Sequence, residues 1–92
     1  MKLYWVMFRN RKIGAFTTPQ FIDIEPEKAA VQLSRSLQIN EKPDIDKTYQ
    51  DLVMFYLGSF DDESGELVCL DEPRQLLVCG DIITARKDVV HG

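Results

Sequence analysis

Between Asp51 and Asp61 the chain runs Leu52-Val53-Met54-Phe55-Tyr56-Leu57-Gly58-Ser59-Phe60, nine residues without a charge. Aliphatic and aromatic side chains at this density suit a pleated, half-buried backbone, so the run is read as a β-strand. A strand this apolar needs neighbours on its edges and a layer over its surface, and the rest of the chain must supply both. Gly58 interrupts the bulky residues, a mark of a bulge or of a neighbouring backbone pressed close. Asp61-Asp62-Glu63-Ser64-Gly65 reads as a turn whose glycine can take positive φ. Glu66 to Leu70 then returns as a strand, Asp71-Glu72-Pro73-Arg74 turns again, and Gln75 to about Cys79 forms a further strand.

The first half supplies two more strands and a helix. Residues 2–8 alternate, with Leu3, Trp5 and Met7 on one side and Lys2, Tyr4, Val6 and Phe8 on the other. Both sets are largely apolar, so this strand is expected to be central. Arg9-Asn10-Arg11-Lys12 is a polar turn, and Ile13 to about Thr17 returns as the partner strand until Pro19 ends regular pairing. Glu25-Pro26-Glu27 opens a helix, because proline loses nothing at the first helical position and acids favour the positive end of the helix dipole. Ala29, Ala30, Leu33 and Leu37 form its apolar stripe, and it should stop before Asn40 and Pro43. Asp44 to Asp51 leaves room for a helical turn. Ile82 and Ile83 can complete the core.

The resulting order is β-β-α-β-β-β. It predicts an α+β fold, with a small antiparallel sheet and one helix packed on a face. Residues 1–85 form a single domain, and residues 86–92 are expected to fray. A core this small gains from pairing with a second copy, so a homodimer is one expectation.

The 92 residues are 45% hydrophobic and 28% charged, the composition of a globular domain. No apolar run approaches the length of a membrane span, and the N-terminal run lacks the cleavage site of a signal peptide. A membrane location is therefore not expected. Cys69 and Cys79 are too few for a disulfide framework and are read as reduced thiols. With His91 as the single histidine, the chain cannot assemble a four-ligand zinc site, and neither metal nor cofactor is expected.

An enzyme reading finds little to stand on. No Ser/His/Asp or Cys/His constellation can be placed, and the five glycines are too scattered for a phosphate loop. Asp61, Asp62, Glu63 and Glu66 cluster as cation ligands do, but their spacing is not that of an EF-hand, and a solvated turn accounts for them. The net charge of -4 opposes avid, nonspecific binding to nucleic acid. Its distribution is uneven: residues 1–40 hold six bases and three acids, residues 41–92 five bases and twelve acids. Arg9, Arg11 and Lys12 are concentrated at one hairpin tip, with Tyr4, Trp5, Phe8, Phe16 and Phe21 on nearby strands. Cations that track phosphates beside rings that stack on bases are the means of single-strand binding. Two plainer readings stand beside it: the rings as core and the basic tip as a solubilising turn.

Asp51, Leu52, Met54, Phe55, Leu57, Gly58, Phe60, Asp61, Ser64 and Gly65 fall on a pattern of Asp, a bulky residue, an aliphatic-aromatic pair, then Leu-Gly-x-Phe-Asp-x-x-Ser/Thr-Gly. In this the chain resembles the small nonstructural DNA-binding proteins of gokushoviruses and related microviruses, phages with circular single-stranded DNA. Met1-Lys2-Leu3-Tyr4, Lys12, Gly14, Phe16, Pro19 and the Lys28-Ala29-Ala30 helix agree with the same family, so the resemblance spans roughly residues 1–80. Leu52 stands where the family more often has an aromatic residue, and the Arg86-Lys87 tail runs past its usual end. The resemblance implies a protein of the host cytoplasm that helps shift genome replication toward single-stranded progeny. It supplies no catalytic residues.

The leading expectation is thus a nonenzymatic phage replication accessory protein that binds single-stranded DNA through Arg9, Arg11, Lys12, Tyr4, Phe8 and Phe16. The alternative is an acidic protein–protein adaptor that contacts the phage replication initiator or a host factor through its second half.

Overall fold

A computed structural model describes residues 1–39 and 42–91, the last five by backbone alone. Its elements are β1 (Lys2–Asn10), β2 (Ala15–Phe16), β3 (Gln20–Ile22), α1 (Pro26–Ile39), α2 (Pro43–Tyr49), β4 (Leu52–Asp61), β5 (Leu67–Val78) and α3 (Cys79–His91). The fold is α+β, as the residue pattern predicts. All strand pairs are antiparallel, in the order β2-β1-β4-β5, and β3 shares the outer edge of β1 with β2.

The β2–β3 edge is broken at Thr18-Pro19, and Thr17 bridges the gap. Its amide donates to the Phe8 carbonyl at 2.7 Å and its hydroxyl accepts from the Phe8 amide at 3.0 Å. The strand pairing that proline would interrupt is therefore continued by one side chain.

α1 begins as expected at Pro26, with the Ala29 amide donating to the Glu25 carbonyl at 3.0 Å. It packs against α3 and β5, and α3 packs in turn against β4 and α2, so the helices cover one face of the sheet. One buried cluster joins Leu37, Leu52, Cys79 and Ile83, and a second joins Val6, Ala30 and Met54, with Phe8 and Leu33 touching both. Each fully buried aliphatic side chain contributes about 1.5–3 kcal/mol by leaving water. Arg86 donates to the Leu37 carbonyl at 2.7 Å and pairs with Asp46, fastening α3 to the end of α1 and to α2.

Three features differ from the sequence reading. The turn expected at Asp71–Arg74 does not reverse the chain, and β5 runs unbroken from Leu67 to Val78. Its register jumps from Gly58↔Cys69 to Tyr56↔Arg74, so residues 70–73 bulge opposite Leu57 alone. Proline is tolerated there because a bulge on an edge strand has no ladder bond to lose. The segment Gln20–Ile22 is a strand, and the residues after Val78 are a helix. Arg86, expected to start a frayed tail, is held in α3; the expectation for the side chains of residues 87–92 lies outside the described residues.

The straightened β5 also keeps the cysteines apart. Cys69 pairs with Gly58, and Val78, next to Cys79, pairs with Val53. Five residues of β4 separate those positions, about 17 Å at ~3.3 Å per residue, far beyond disulfide reach. Both are free thiols, Cys69 exposed and Cys79 buried.

Candidate nucleic-acid interface

The face of the sheet turned away from the helices is aromatic. Alternation along β1 sends Leu3, Trp5, Met7 and Arg9 to it, and the pairings Leu3↔Phe60, Trp5↔Phe21, Met7↔Phe55 and Arg9↔Phe16 bring four phenylalanines to the same side. Trp5 and Phe21 stack with centroids 5.4 Å apart and planes 16° from parallel; Phe60 lies 6.0 Å beyond Phe21. Phe16 and Phe55 meet edge to face at 6.0 Å. Met7 and Val53, on the same face, are buried, while Phe16 and Phe21 remain 52% and 48% exposed. The rings thus form a shallow layer with water on its outer side.

Gly58 makes this face possible. Trp5 pairs with Gly58 but Val6 pairs with Tyr56, so Leu57 is an extra residue on β4. One inserted residue flips every side chain beyond it. Phe55 and Phe60, five apart and so on opposite faces of a regular strand, share a face here. At the bulge the β5 backbone closes in, and a Cβ on Gly58 would overlap the Val68 carbonyl oxygen.

Of the six residues selected from sequence, four divide between the two faces and two lie on the turn after β1. Arg9 and Phe16 lie on the open face, with the Arg9 guanidinium 5.6 Å from the Phe16 ring centroid. Phe8 lies on the helix side, in both core clusters and 6.1 Å from Tyr49. Tyr4 is also on that side, 6.3 Å from Tyr56 and beneath the Lys2 ammonium. Arg11 donates its amide to the Asp51 carbonyl at 2.8 Å, and its guanidinium lies against Gly80 at the start of α3. Lys12 is exposed on a turn in which the Asn10 side chain accepts its amide at 3.0 Å. Arg9, Phe16 and Lys12 therefore belong to one accessible end of the sheet, and Tyr4 and Phe8 do not. The six leave out Trp5 and Phe21, which the sequence places among the nearby rings, and miss Phe55 and Phe60 altogether. Trp5 was recoverable from alternation alone; Phe60 required the bulge that Gly58 only hints at.

The far end of β4 and the turn after it are acidic: Asp61 pairs with Lys2 on the helix side, and the Met1 ammonium lies 2.5 Å from Asp62 and 3.5 Å from Glu63. Asp61 accepts the amides of Glu63 at 2.9 Å and Ser64 at 3.3 Å, and these hold its carboxyl below the usual range. Gly65, at φ 76°, closes this turn in a conformation that favours glycine. Among the described residues no three Asp, Glu, His or Cys side chains gather as a metal site would, and no helix is long and apolar enough to cross a membrane. Burial pushes the Cys79 thiol up to about 11, so it is protonated and unreactive at neutral pH. Compared with known proteins, the chain matches no family model, no curated protein and no solved structure.

Proposed function

We propose that this chain is a nonenzymatic protein that binds single-stranded DNA on the open face of its sheet. The observation that carries the reading is the set of rings Trp5, Phe16, Phe21, Phe55 and Phe60, left without a covering helix and joined at one end by Arg9. Unpaired bases can stack on half-exposed rings, at about 1–3 kcal/mol per base, whereas duplex DNA keeps its base faces inside. Arg9 and Lys12 offer phosphate contacts where the bases would enter. The resemblance to the microviral nonstructural proteins supports the biological setting: an accessory to phage genome replication in the host cytoplasm.

Trp5 is the single tryptophan of the chain and lies within the proposed surface, so its fluorescence reports directly on occupancy. Titration with oligo-dT at low and moderate salt should quench it, and a duplex of equal length should quench it far less. Oligo-dT that leaves the emission unchanged at low salt would remove the DNA reading.

A further inference from the structure

The outer edge of β5 is the longest unpaired strand edge described in the fold. Every residue from Leu67 to Gln75 is exposed, and Leu67, Val68 and Leu70 are large apolar side chains at 52%, 46% and 36% exposure. Natural edge strands are usually blunted by charge, proline or a bulge. Here those guards, Asp71, Glu72 and Pro73, begin only after Leu70, and Leu67–Leu70 is open.

The backbone groups that face outward can be assigned. The Glu66 carbonyl accepts the Asp61 amide at 2.9 Å, and the Val68 carbonyl lies against Gly58, so both point toward β4. Alternation then turns the N–H and C=O of Leu67 and Cys69 away from the sheet.

Charge decides what can pair there. Glu66 precedes the apolar stretch, Asp71 and Glu72 follow it, and these three carboxylates have no ion-pair partner among the described residues. A second copy is poorly suited. With the outward-facing residues opposite one another, an axis at Cys69 sets Glu66 opposite Glu72 of the other chain, and an axis at Val68 sets it opposite Leu70, one place from Asp71; both registers bring two sets of these carboxylates onto one short edge, and like charges in close register destabilise a strand pair. We infer that the Leu67–Leu70 edge accepts an extended peptide segment of a partner protein, apolar at its centre and flanked by Lys or Arg, as an added antiparallel or parallel strand. This site runs along the free edge of β5, adjoining the open face where Leu67 pairs with Phe60, and does not depend on DNA binding.

The test uses a fluorescent synthetic peptide, capped at both ends, with two lysines on each side of five alternating valines and threonines. Anisotropy should report saturable binding to the full chain. Replacing the lysines by glutamates should weaken it at least tenfold, as should Glu66→Lys with Glu72→Lys. Cys69→Pro, which removes an outward N–H and no bond to β4, should abolish it. Because that variant could misfold, two N-methylated peptides are compared on the unmodified chain, methylated on the odd or the even residues of the central five; one pattern should bind and the other should not. Equal binding of the two methylated peptides, equal binding of the glutamate peptide, or no binding would overturn the inference. So would displacement of the peptide by oligo-dT, which would place it on the aromatic face. Dimers in sedimentation that Cys69→Pro dissociates would replace the partner with a second copy and overturn it equally.

Discussion

The two faces of the sheet use the same strands for different ends. Toward the helices, Val6, Phe8, Leu52 and Met54 meet Ala30, Leu33, Leu37 and Ile83, and the contacts are closed. Away from them, Met7 and Val53 are buried, but Phe16 and Phe21, in contact with Trp5, Phe55 and Phe60, keep an outer surface in water. A face needed only for stability would be covered or made polar, since exposed apolar patches invite association. The difference teaches that stability and recognition can be separated by substitution, one face at a time.

The substitution that should erase the distinction is Gly58→Val. It places a side chain where the Val68 carbonyl oxygen lies, at the bulge that brings Phe60 onto the open face. Overpacking against backbone costs about 3 kcal/mol or more, a large share of the ~5–15 kcal/mol available to a whole domain. Thermal unfolding followed by circular dichroism should lose its cooperative transition; an unchanged melting temperature would mean that the glycine is merely tolerated. On the covered face, Leu37→Ala empties a fully buried site and should cost about 2–5 kcal/mol. If the protein stays folded, its affinity for oligo-dT should be unaltered.

Phe21→Ala is the counterpart on the open face. The side chain is half exposed, so stability should fall by only about 1 kcal/mol. If one base stacks on the Trp5–Phe21 pair, loss of about 1–3 kcal/mol weakens single-strand binding about 5- to 150-fold. A variant with reduced stability and unchanged affinity would assign the rings to the core and end the comparison.

How far the two faces can be read from residues alone depends on the regularity of the strands that build them. β1 alternates cleanly, so the separation of Trp5 from Tyr4 and Phe8 is legible, and α1 follows from Pro26 and a helical apolar stripe. β4 and β5 are not legible in the same way. Leu57 is counted as an ordinary strand residue until its neighbours show it to be inserted, and Asp-Glu-Pro is the composition of a turn whether the chain reverses or bulges. The choice at Pro73 is tertiary: Arg74 lies over Tyr56 and pairs with Glu27 of α1, holding β5 extended beneath the helix. Positions inferred from single strands are therefore placed most directly where no register shift intervenes, as at Arg9 and Phe16.

The charged end of the open face gives a smaller, graded effect. The sequence suggests three phosphate contacts at the hairpin tip, but Arg11 is turned toward Gly80, leaving Arg9 and Lys12. Each contact with a single strand contributes about 0.7 to the slope of log affinity against log salt, so Arg9→Ala with Lys12→Ala should flatten it by about 1.4. Adding Arg11→Ala should flatten it no further, though it removes a side chain packed at the start of α3. A further drop of about 0.7 would return Arg11 to the binding surface.

The smallest effect belongs to the acidic turn at the far end of β4 and tests whether that turn and the rings act together. Asp61 accepts two amides of its turn, and its carboxyl is held below the usual value near 3.8 by those bonds. A group whose folded pKa is depressed adds stability above its unfolded value and loses it as pH falls through the folded one. The turn contribution is therefore intact at pH 5 and should decline only below about pH 4, given the unfolded value of ~3.9. A carboxyl chemical-shift titration should give Asp61 a lower midpoint than a free aspartate, and Asp61→Asn, which keeps an accepting oxygen, should remove this pH dependence while leaving the turn closed. Trp5 emission recorded over the same range should not follow the Asp61 titration, because Trp5 is fixed by Phe21 and by the β1 ladder rather than by the turn. If it does follow, the turn and the rings move together as a single unit.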